Sequence, residues 1–323
     1  MELRVNQIPA GEVYERIAAN VQTVVRGKPE VVRLAIAALL AEGHLLVEDV
    51  PGLGKTTLAR CLARSIGGSW NRIQFTPDLL PGDITGVQVY HQRDERFAFH
   101  PGGVFANVVL ADEINRGTPK TQSALLEVMS ERTVTVDAER HEVPRPFLVI
   151  ASQNPIEMEG TYRLPEAQLD RFLMRLRVGY PDLASEVMVI MSDCAGVNPD
   201  ELQPVVDIPA LQAAVAQVRA AHIDRAIVEY AAKLAAATRE HVALRYGASP
   251  RGSIALVRAA QAVAATHGRA FVTPDDVKEV AHPVLEHRLI LTSDAELNQR
   301  RPADVVDEVL AATPAPGMST AGV

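Results

Sequence analysis

The chain has 323 residues and a formal net charge of -8, and 47% of its residues are hydrophobic and 22% are charged. This composition is that of a globular protein, and the length suits two domains better than one. Only 4% of the residues are aromatic. Together with the acidic balance, this disfavours base-stacking surfaces and non-specific nucleic-acid binding. No apolar run is long enough to cross a bilayer, so we expect no membrane span and a cytoplasmic location.

The first predicted elements are two helices followed by a strand. Apolar residues recur at helical spacing in 12–25 and 30–41, and Gly43 follows the second run. The short apolar run 44–48 predicts a strand, and 57–66 predicts the next helix. The stretch between this strand and this helix reads Pro51, Gly52, Leu53, Gly54, Lys55, Thr56 and Thr57.

This strand-to-helix junction predicts a nucleotide-binding loop formed by 51–57. Small residues would let backbone N–H groups surround phosphates, Lys55 would add a positive charge near the β- and γ-phosphates, and the Thr56 hydroxyl could ligate Mg²⁺. The helix N-terminus would also favour an anion. The loop departs from the full pattern at Asp49, where a glycine is expected.

The following sequence continues to alternate strands with helices. Strands are predicted at 71–75, 107–111 and 147–152, and a helix is predicted at 120–131. This alternation predicts an α/β domain over 1–180 with a parallel sheet flanked by helices. Two hairpins, at about 86–99 and 133–145, are expected to interrupt it, and surface decoration is the commonest reason for such hairpins.

Polar side chains follow two of the predicted strands. Asp112 and Glu113 would lie at the carboxyl edge of the sheet beside the phosphate loop. There Asp112 could bind Mg²⁺ and Glu113 could polarise a water aimed at the γ-phosphate. Without the loop, an acidic surface strand end would explain the pair about equally well. Asn154 could orient the attacking water, although an Asn before Pro is also common in turns.

From residue 181 onward the sequence becomes rich in Ala and helical in pattern. Helices are predicted at 183–194, 208–219, 227–241, 253–266 and 274–286, with no strand among them. We therefore expect an all-α second domain over 181–312. The segment 313–323, rich in Pro, Ala, Gly, Ser and Thr, is expected to be a disordered tail. Cys61 and Cys194 lie far apart and are both expected in the core.

The complete set of motifs resembles the AAA+ ATPases. It comprises the loop, Asp112 with Glu113, Asn154, Arg171 and Arg251, in that order, ahead of or within a helical second domain. Four strings are similar to the MoxR branch of that family: EDVPGLGKT at 48–56, QFTPDLLPGDI at 74–84, DEINR at 112–116 and LPEAQLDRF at 164–172. That branch often lacks the first glycine of the loop, which accounts for Asp49.

The resemblance implies roles that spacing alone does not assign. Asn154 would be the sensor on the core sheet, Arg171 the arginine finger reaching a neighbouring subunit's γ-phosphate, and Arg251 the sensor of a helical lid. Gly27 matches the adenine-side loop, where the family more often has Gln at the position of Lys28. The two hairpins match insertions that in relatives face the central pore or the client.

The resemblance also implies a P-loop NTPase that uses ATP and Mg²⁺ and forms a homo-oligomer, a hexameric ring. Its output would be chaperone-like remodelling of a protein client, with a von Willebrand factor A domain protein as partner. Two alternatives remain. An ATP-dependent assembly scaffold is disfavoured by Glu113, because a pure binder needs no carboxylate to polarise water. A nucleic-acid motor is disfavoured by the net charge of -8.

Overall fold

The structure is a computed structural model and describes residues 8–50, 52–154 and 161–317. In the first part of the chain, strands and helices alternate. The elements are α1 Ala10–Gln22, α2 Pro29–Leu40, β1 Leu45–Glu48, α3 Lys55–Ser65, β2 Trp70–Gln74, α4 Pro81–Thr85, β3 Val87–His91, β4 Arg96–His100, β5 Val108–Asp112, α5 Pro119–Glu131, β6 Thr133–Val136, β7 Glu139–Glu142, β8 Leu148–Gln153, α6 Glu166–Leu169 and β9 Met174–Leu176.

Five of these strands form one parallel sheet in the order β2-β5-β8-β1-β9. Because side chains alternate along a strand, each central strand feeds a core on both faces. In β1, Leu45 and Val47 pack with α1, α2 and α3, whereas Leu46 packs with α4 and α5. The predicted α/β class is therefore confirmed. The edge strand β9 is too short to be predicted from alternating hydrophobicity.

Two antiparallel hairpins extend from this core where the sequence predicts them. The first pairs β3 with β4, and the second pairs β6 with β7. The second turns over Asp137 and Ala138, both of which have positive φ. The ring of Phe99 on β4 stacks on that of His141 on β7, with centroids 3.7 Å apart. The two hairpins are thus in direct contact.

The second part of the chain is a helical lid that also contains a small sheet. Its elements are α7 Leu183–Cys194, α8 Ile208–Arg219, α9 Arg225–Glu240, β10 Leu244–Tyr246, α10 Pro250–Thr266, α11 Pro274–Leu285, β11 Ile290–Leu291, α12 Ser293–Leu297 and α13 Pro302–Ala312. Strands β10 and β11 pair antiparallel, so the expectation of a strand-free domain is wrong in this detail. Strands of three and two residues are too short to show a period.

Helix α10 holds the lid together and attaches it to the core. It packs against α8, α9 and α11 of the lid and against α1 and α2 of the first domain. Most of its buried residues are alanines, whose small side chains let helices approach closely. Beyond α13, Ala315 is buried against this core, so packed chain extends past the predicted start of the tail. Residues 318–323 lie outside the described part.

Two further predictions concern the burial of the cysteines and the presence of a membrane-spanning helix. Cys61 is buried as expected, but Cys194 is exposed, because it lies at the end of α7, a helix whose side chains mostly face solvent. Within the described residues, every helix is too short or too polar to cross a membrane.

Candidate active site

The loop between β1 and α3 has open space beside its two glycines, Gly52 and Gly54. Gly52 and Gly54 have φ of +87° and +81°, a left-handed conformation that favours glycine. A Cβ added at either position would meet no atom within 4 Å, so the loop leaves room for a ligand. The Lys55 ammonium donates to the carbonyl oxygens of Asp49 and Val50, at 2.9 and 3.1 Å. Pro51 lies outside the described residues.

A cavity of about 370 Å³ lies against this loop. It brings together residues from the loop and from the carboxyl ends of three parallel strands, β2, β5 and β8. Eight of the predicted site residues line it: Gly52, Gly54, Lys55, Thr56, Thr57, Asp112, Glu113 and Asn154. Leu53, which is also predicted to belong to the nucleotide-binding loop, lines a neighbouring cavity instead. The arrangement is that of a phosphate site at the edge of a doubly wound sheet.

Asp112 is fixed by hydrogen bonds to both carboxylate oxygens. Oδ1 accepts from the Ser152 hydroxyl at 2.5 Å, and Oδ2 accepts from Arg72 Nη2 at 2.6 Å. The same Ser152 oxygen accepts from the backbone N–H of Glu113 at 2.9 Å. The Ser152 side chain therefore sets the relative position of the two acidic residues.

Glu113 adopts a left-handed backbone conformation, with φ of 54°. A non-glycine residue held there stores on the order of 1 kcal/mol, and such strain is concentrated at functional sites. Its Oε2 accepts from Gln74 Nε2 at 2.9 Å and from Arg116 Nη1 at 3.1 Å. The Glu113 carboxylate is thus held at the wall of the cavity, where it can polarise a water.

Three residues of this site are not predicted from the sequence: Arg72, Gln74 and Ser152. Arg72 and Gln74 lie two apart on β2, so they share a face, and β2 pairs with β5 such that Gln74 is opposite Asp112. The available signal is the run of polar residues near the carboxyl end of a strand. It becomes informative only when the strand order is known.

A second, mainly apolar cavity of about 260 Å³ adjoins the first. Gly52, Gly54 and Thr57 line both cavities. The walls of the second include Val24, Val25, Val31, Leu53, Leu58, Val178 and Val189. An apolar slot beside a phosphate site suits the base of a nucleotide. Lys28 also lines it, and its ammonium donates to the Tyr180 carbonyl at 2.7 Å.

Gly27 lets α7 approach this apolar cavity. Its φ is +69°, and a Cβ there would lie 2.1 Å from the Ser185 Oγ of α7. A larger residue at position 27 would therefore displace either the 24–28 loop or α7. Its neighbours Val25, Arg26 and Lys28 line the apolar cavity, and the assignment of Gly27 to the adenine side stays a prediction.

Asp49 has a structural reason to replace the expected glycine. Its carboxylate accepts from the backbone N–H groups of Val178 and Gly179. These residues follow β9 and form part of the apolar cavity wall. Asp49 therefore ties the phosphate loop to the segment that connects the core with the lid.

Arg171 and Arg251 lie together at a different cavity, of about 300 Å³. Arg132, Arg258 and Arg288 also line it, with Glu42 and Asp170 as the carboxylates. Arg171 Nη1 donates to the Leu126 carbonyl at 2.6 Å and to Ser130 Oγ at 2.5 Å. The structure thus divides the predicted catalytic residues, with Glu113 and Asn154 at the phosphate cavity and the two arginines at an arginine-rich one.

One carboxylate links the two arginines. Asp170 Oδ2 accepts from Ser249 Oγ at 2.8 Å, and Ser249, the N-cap of α10, accepts from the Arg251 N–H at 3.1 Å. Asp170 Oδ1 accepts from Arg288 Nε at 2.8 Å, and the Arg288 side chain is only 3% exposed. Arg171 is the next residue after Asp170, so the lid helix and the arginine loop are joined at this point.

The phosphate and apolar cavities fit a magnesium nucleotide. The Thr56 hydroxyl and the Asp112 carboxylate supply the oxygen ligands that Mg²⁺ prefers. Lys55 and the open glycine loop suit phosphates, and the valine-lined cavity suits a base. This combination, with a parallel sheet and a helical lid, defines a P-loop nucleoside triphosphatase of the AAA+ class.

Comparison with known proteins supports this assignment to the AAA+ class. Residues 44–174 match the family described as ATPase family associated with various cellular activities (AAA), and residues 236–309 match the AAA lid domain. A crystal structure of a candidate ATPase from Cytophaga hutchinsonii superimposes with a TM-score of 0.88 at 37% sequence identity, covering 94% of each chain.

Several curated proteins are similar over nearly the whole chain. The uncharacterized protein YeaC of Bacillus subtilis is 48% identical, covering 92% of this chain and 93% of its own. Chaperone MoxR1 of Mycobacterium tuberculosis is 43% identical (93% and 82%), and protein MoxR of Paracoccus denitrificans is 34% identical (92% and 95%). The chain belongs to the MoxR family of AAA+ ATPases.

Proposed function

We propose that this protein is a Mg²⁺-dependent ATPase that works as a hexameric ring, with each ATP bound by one subunit and contacted by the arginines of the next. The observation that carries this proposal is the division of the predicted catalytic residues between two cavities. Arg171 and Arg251 line the arginine-rich cavity, whereas the phosphate loop, Asp112, Glu113 and Asn154 line the phosphate cavity.

In this proposal the residues of the phosphate cavity and those of the arginine-rich cavity have separate roles in ATP hydrolysis. Lys55 and the loop N–H groups bind the phosphates, and Mg²⁺ held by Thr56 and Asp112 neutralises their charge when the nucleotide is present. Glu113 accepts a proton from the attacking water, and Asn154 orients that water. Arg171 and Arg251 of the neighbouring subunit stabilise the charge that develops on the transferred phosphoryl group.

We further propose that hydrolysis drives chaperone-like remodelling of a protein client, with a von Willebrand factor A domain protein as partner. The name of the relative Chaperone MoxR1 supports the first part. The exposed hydrophobic side chains of the β3–β4 hairpin, among them Tyr90 and Phe97, offer a surface of the kind that binds unfolded polypeptide.

A subunit-mixing experiment tests the shared site. Lys55→Ala subunits keep their arginines but lose phosphate binding, and Arg171→Ala subunits keep the loop but lose the arginine. Each alone is expected to lose most ATPase activity. Mixed rings contain some sites with an intact loop facing an intact Arg171, so activity should recover to a fraction of wild type.

The control is the double variant Lys55→Ala/Arg171→Ala mixed with either single variant. Double-variant subunits mixed with Arg171→Ala subunits create no complete site and should give no recovery. The shared-site proposal is wrong if native mass spectrometry shows rings that contain both Lys55→Ala subunits and Arg171→Ala subunits, and if these mixed rings hydrolyse ATP no faster than rings of either single variant.

A further inference from the structure

Helix α7 presents a hydrophobic stripe to solvent. Leu183, Val187, Ile190, Met191 and Cys194 recur at the spacing of one helical face, and we call them the α7 stripe. Leu183 is 78% exposed and Met191 66% exposed, and Ser185 is the helix's one buried residue. A monomer gains nothing from exposing such a stripe, which is typical of a surface that another molecule covers.

The position of α7 indicates what covers it. Val189 on this helix lines the apolar cavity beside the phosphate loop, and Ser185 packs against Gly27. Helix α7 therefore borders the nucleotide site of its own subunit. In the proposed ring, that site is where the arginines of the next subunit arrive.

The surface around those arginines is complementary to α7 in both polarity and charge. We call it the arginine face and define it by Arg171, Arg251 and Ile254, which line the arginine-rich cavity. Ile254 is 59% exposed, so the face offers apolar area beside its positive charges. From Asp182 to Cys194, both included, the sequence has three carboxylates, Asp182, Glu186 and Asp193, and no Lys, Arg or His. An acidic helix with an apolar stripe thus matches a basic face with an exposed isoleucine.

We propose that the α7 stripe docks on the arginine face of the next copy of this chain. This inference rests on the proposed shared ATP site and adds the surface that brings the two halves of the site together. Burying the stripe would supply hydrophobic free energy to the contact, while the opposite charges would favour this orientation. The finger and the lid arginine would then be positioned by α7 as well as by the nucleotide.

Cross-linking through the native Cys194 tests the contact directly. Cys194 is the exposed cysteine at the end of the stripe, whereas Cys61 is buried, and burial raises the pKa of its thiol to about 12, so Cys61 is unreactive. Ile254→Cys places a second thiol on the arginine face. With Mg²⁺, a non-hydrolysable ATP analogue and a short bis-maleimide, we expect covalent dimers and higher ladders on a denaturing gel.

Two controls isolate the contact. Ile254→Cys combined with Cys194→Ala should give no ladder. Val228 is an exposed valine of α9 that lines none of the phosphate, apolar and arginine-rich cavities. Val228→Cys should give at least fivefold less dimer than Ile254→Cys. Rings without an Ile254→Cys ladder would overturn the docking of α7 while leaving the proposed ATPase intact. Failure of the wild type to assemble with nucleotide at any concentration would overturn both.

A charge-sign test distinguishes a second copy from a client or partner. Met191→Lys adds a positive charge that would face Arg171 and Arg251, whereas Met191→Glu adds a negative one at the same exposed site. We expect Met191→Lys to weaken ring assembly at least tenfold more than Met191→Glu, measured by mass photometry across protein concentrations. Equal effects of the two variants, or effects on partner binding without any on assembly, would overturn the proposal.

Discussion

At the residue scale, Ser249 joins the two arginines of the proposed shared site. Its hydroxyl donates to Asp170, the neighbour of Arg171, and accepts from the N–H of Arg251. Gly252, one residue later, leaves room for Arg288, since an added Cβ would lie 3.3 Å from Arg288 Cδ. Catalytic groups displaced by about 1 Å can lose on the order of a hundredfold in rate. The geometry of this link therefore bears on catalysis.

We expect Ser249→Ala to lower the kcat for ATP about tenfold and to leave the KM for ATP unchanged. The substitution removes the hydroxyl that joins α10 to Asp170, but it leaves the phosphate and apolar cavities of its own subunit intact. Steady-state ATPase assays on assembled rings measure both constants. Ser249→Thr, which keeps the hydroxyl, should retain most of the wild-type kcat.

Asp207→Ala is the matched control, because Asp207 is also a helix N-cap, on α8, and accepts from Ala210 N at 2.8 Å. Both substitutions should cost about 1 kcal/mol of stability through loss of a cap. Only Ser249→Ala should lower kcat. An equal loss of kcat in the two variants would show that Ser249 acts through stability alone.

The residues that sequence predicts best are those whose partners are close in the chain. Lys55 and Thr56 are placed by the loop itself, and Asp112 by the end of its strand. Arg72 and Ser152 contact Asp112 from two other strands, 40 residues away in either direction. Such contacts depend on strand order, which single-sequence patterns do not determine.

At the element scale, His44 connects the start of β1 to two neighbouring elements. Its Nδ1 accepts from Val149 N of β8 at 3.0 Å, and its Nε2 lies 3.0 Å from the Met129 carbonyl of α5. The ring is therefore neutral and protonated at Nε2. The pKa of His44 is lowered from 6.5 to about 4, chiefly by burial and also by the nearby Arg132 and Arg258, against the Met129 carbonyl and Glu42, which raise it.

Protonation of His44 should make the free energy of unfolding depend on pH. Between pH 6.5 and about 4 the unfolded chain binds a proton at His44 that the folded chain does not, so stability is full above pH 6.5 and falls as the pH drops. The change from this residue is about 3 kcal/mol over that range. Urea unfolding at several pH values measures it.

His287 is the residue to separate from this effect, because burial also lowers its pKa well below the ordinary value. The comparison is therefore wild type against His44→Gln, in which His287 is retained. We expect His44→Gln to be less stable at pH 7 and to show a shallower fall toward pH 4. A fall as steep as that of wild type would contradict the assignment to His44.

Long periodic helices are predictable, and short elements or exposed apolar faces are not. The helical pattern of 183–194 matches α7 to the residue, yet the apolar side chains of α7 face solvent, because periodicity gives the face and not its partner. The short strands β9, β10 and β11 contain too few residues to show an alternation of apolar and polar side chains. Their existence follows from tertiary pairing instead.

At the scale of the whole molecule, the β3–β4 hairpin is an exposed hydrophobic surface on an acidic body. Phe97 is 68% exposed and Tyr90 51% exposed, and their ring centroids are 5.2 Å apart. The tip between them has two arginines and two acids, Arg93, Asp94, Glu95 and Arg96. A tip without excess positive charge, on a chain of net charge -8, favours apolar polypeptide over a phosphate backbone.

We expect the double variant Tyr90→Ser/Phe97→Ser to bind unfolded polypeptide at least tenfold more weakly than wild type and to keep the basal ATPase rate. The hairpin lies outside the phosphate, apolar and arginine-rich cavities, so hydrolysis should not depend on these two rings. Fluorescence anisotropy with a labelled, reduced and carboxymethylated model protein measures the binding. Val228→Ser, at an exposed valine of the lid, is the matched control and should bind as wild type does.

The same titration with a single-stranded oligonucleotide distinguishes the remaining alternative. Stacking of bases on exposed rings is tolerant of sequence, so Tyr90 and Phe97 could also serve a nucleic-acid motor. For that function, binding should be tight at low salt, weaken steeply as salt is added, and stimulate ATP hydrolysis. We expect none of these with wild type. A salt-sensitive, stimulatory oligonucleotide interaction that Tyr90→Ser/Phe97→Ser abolishes would instead make nucleic acid the substrate of this hairpin.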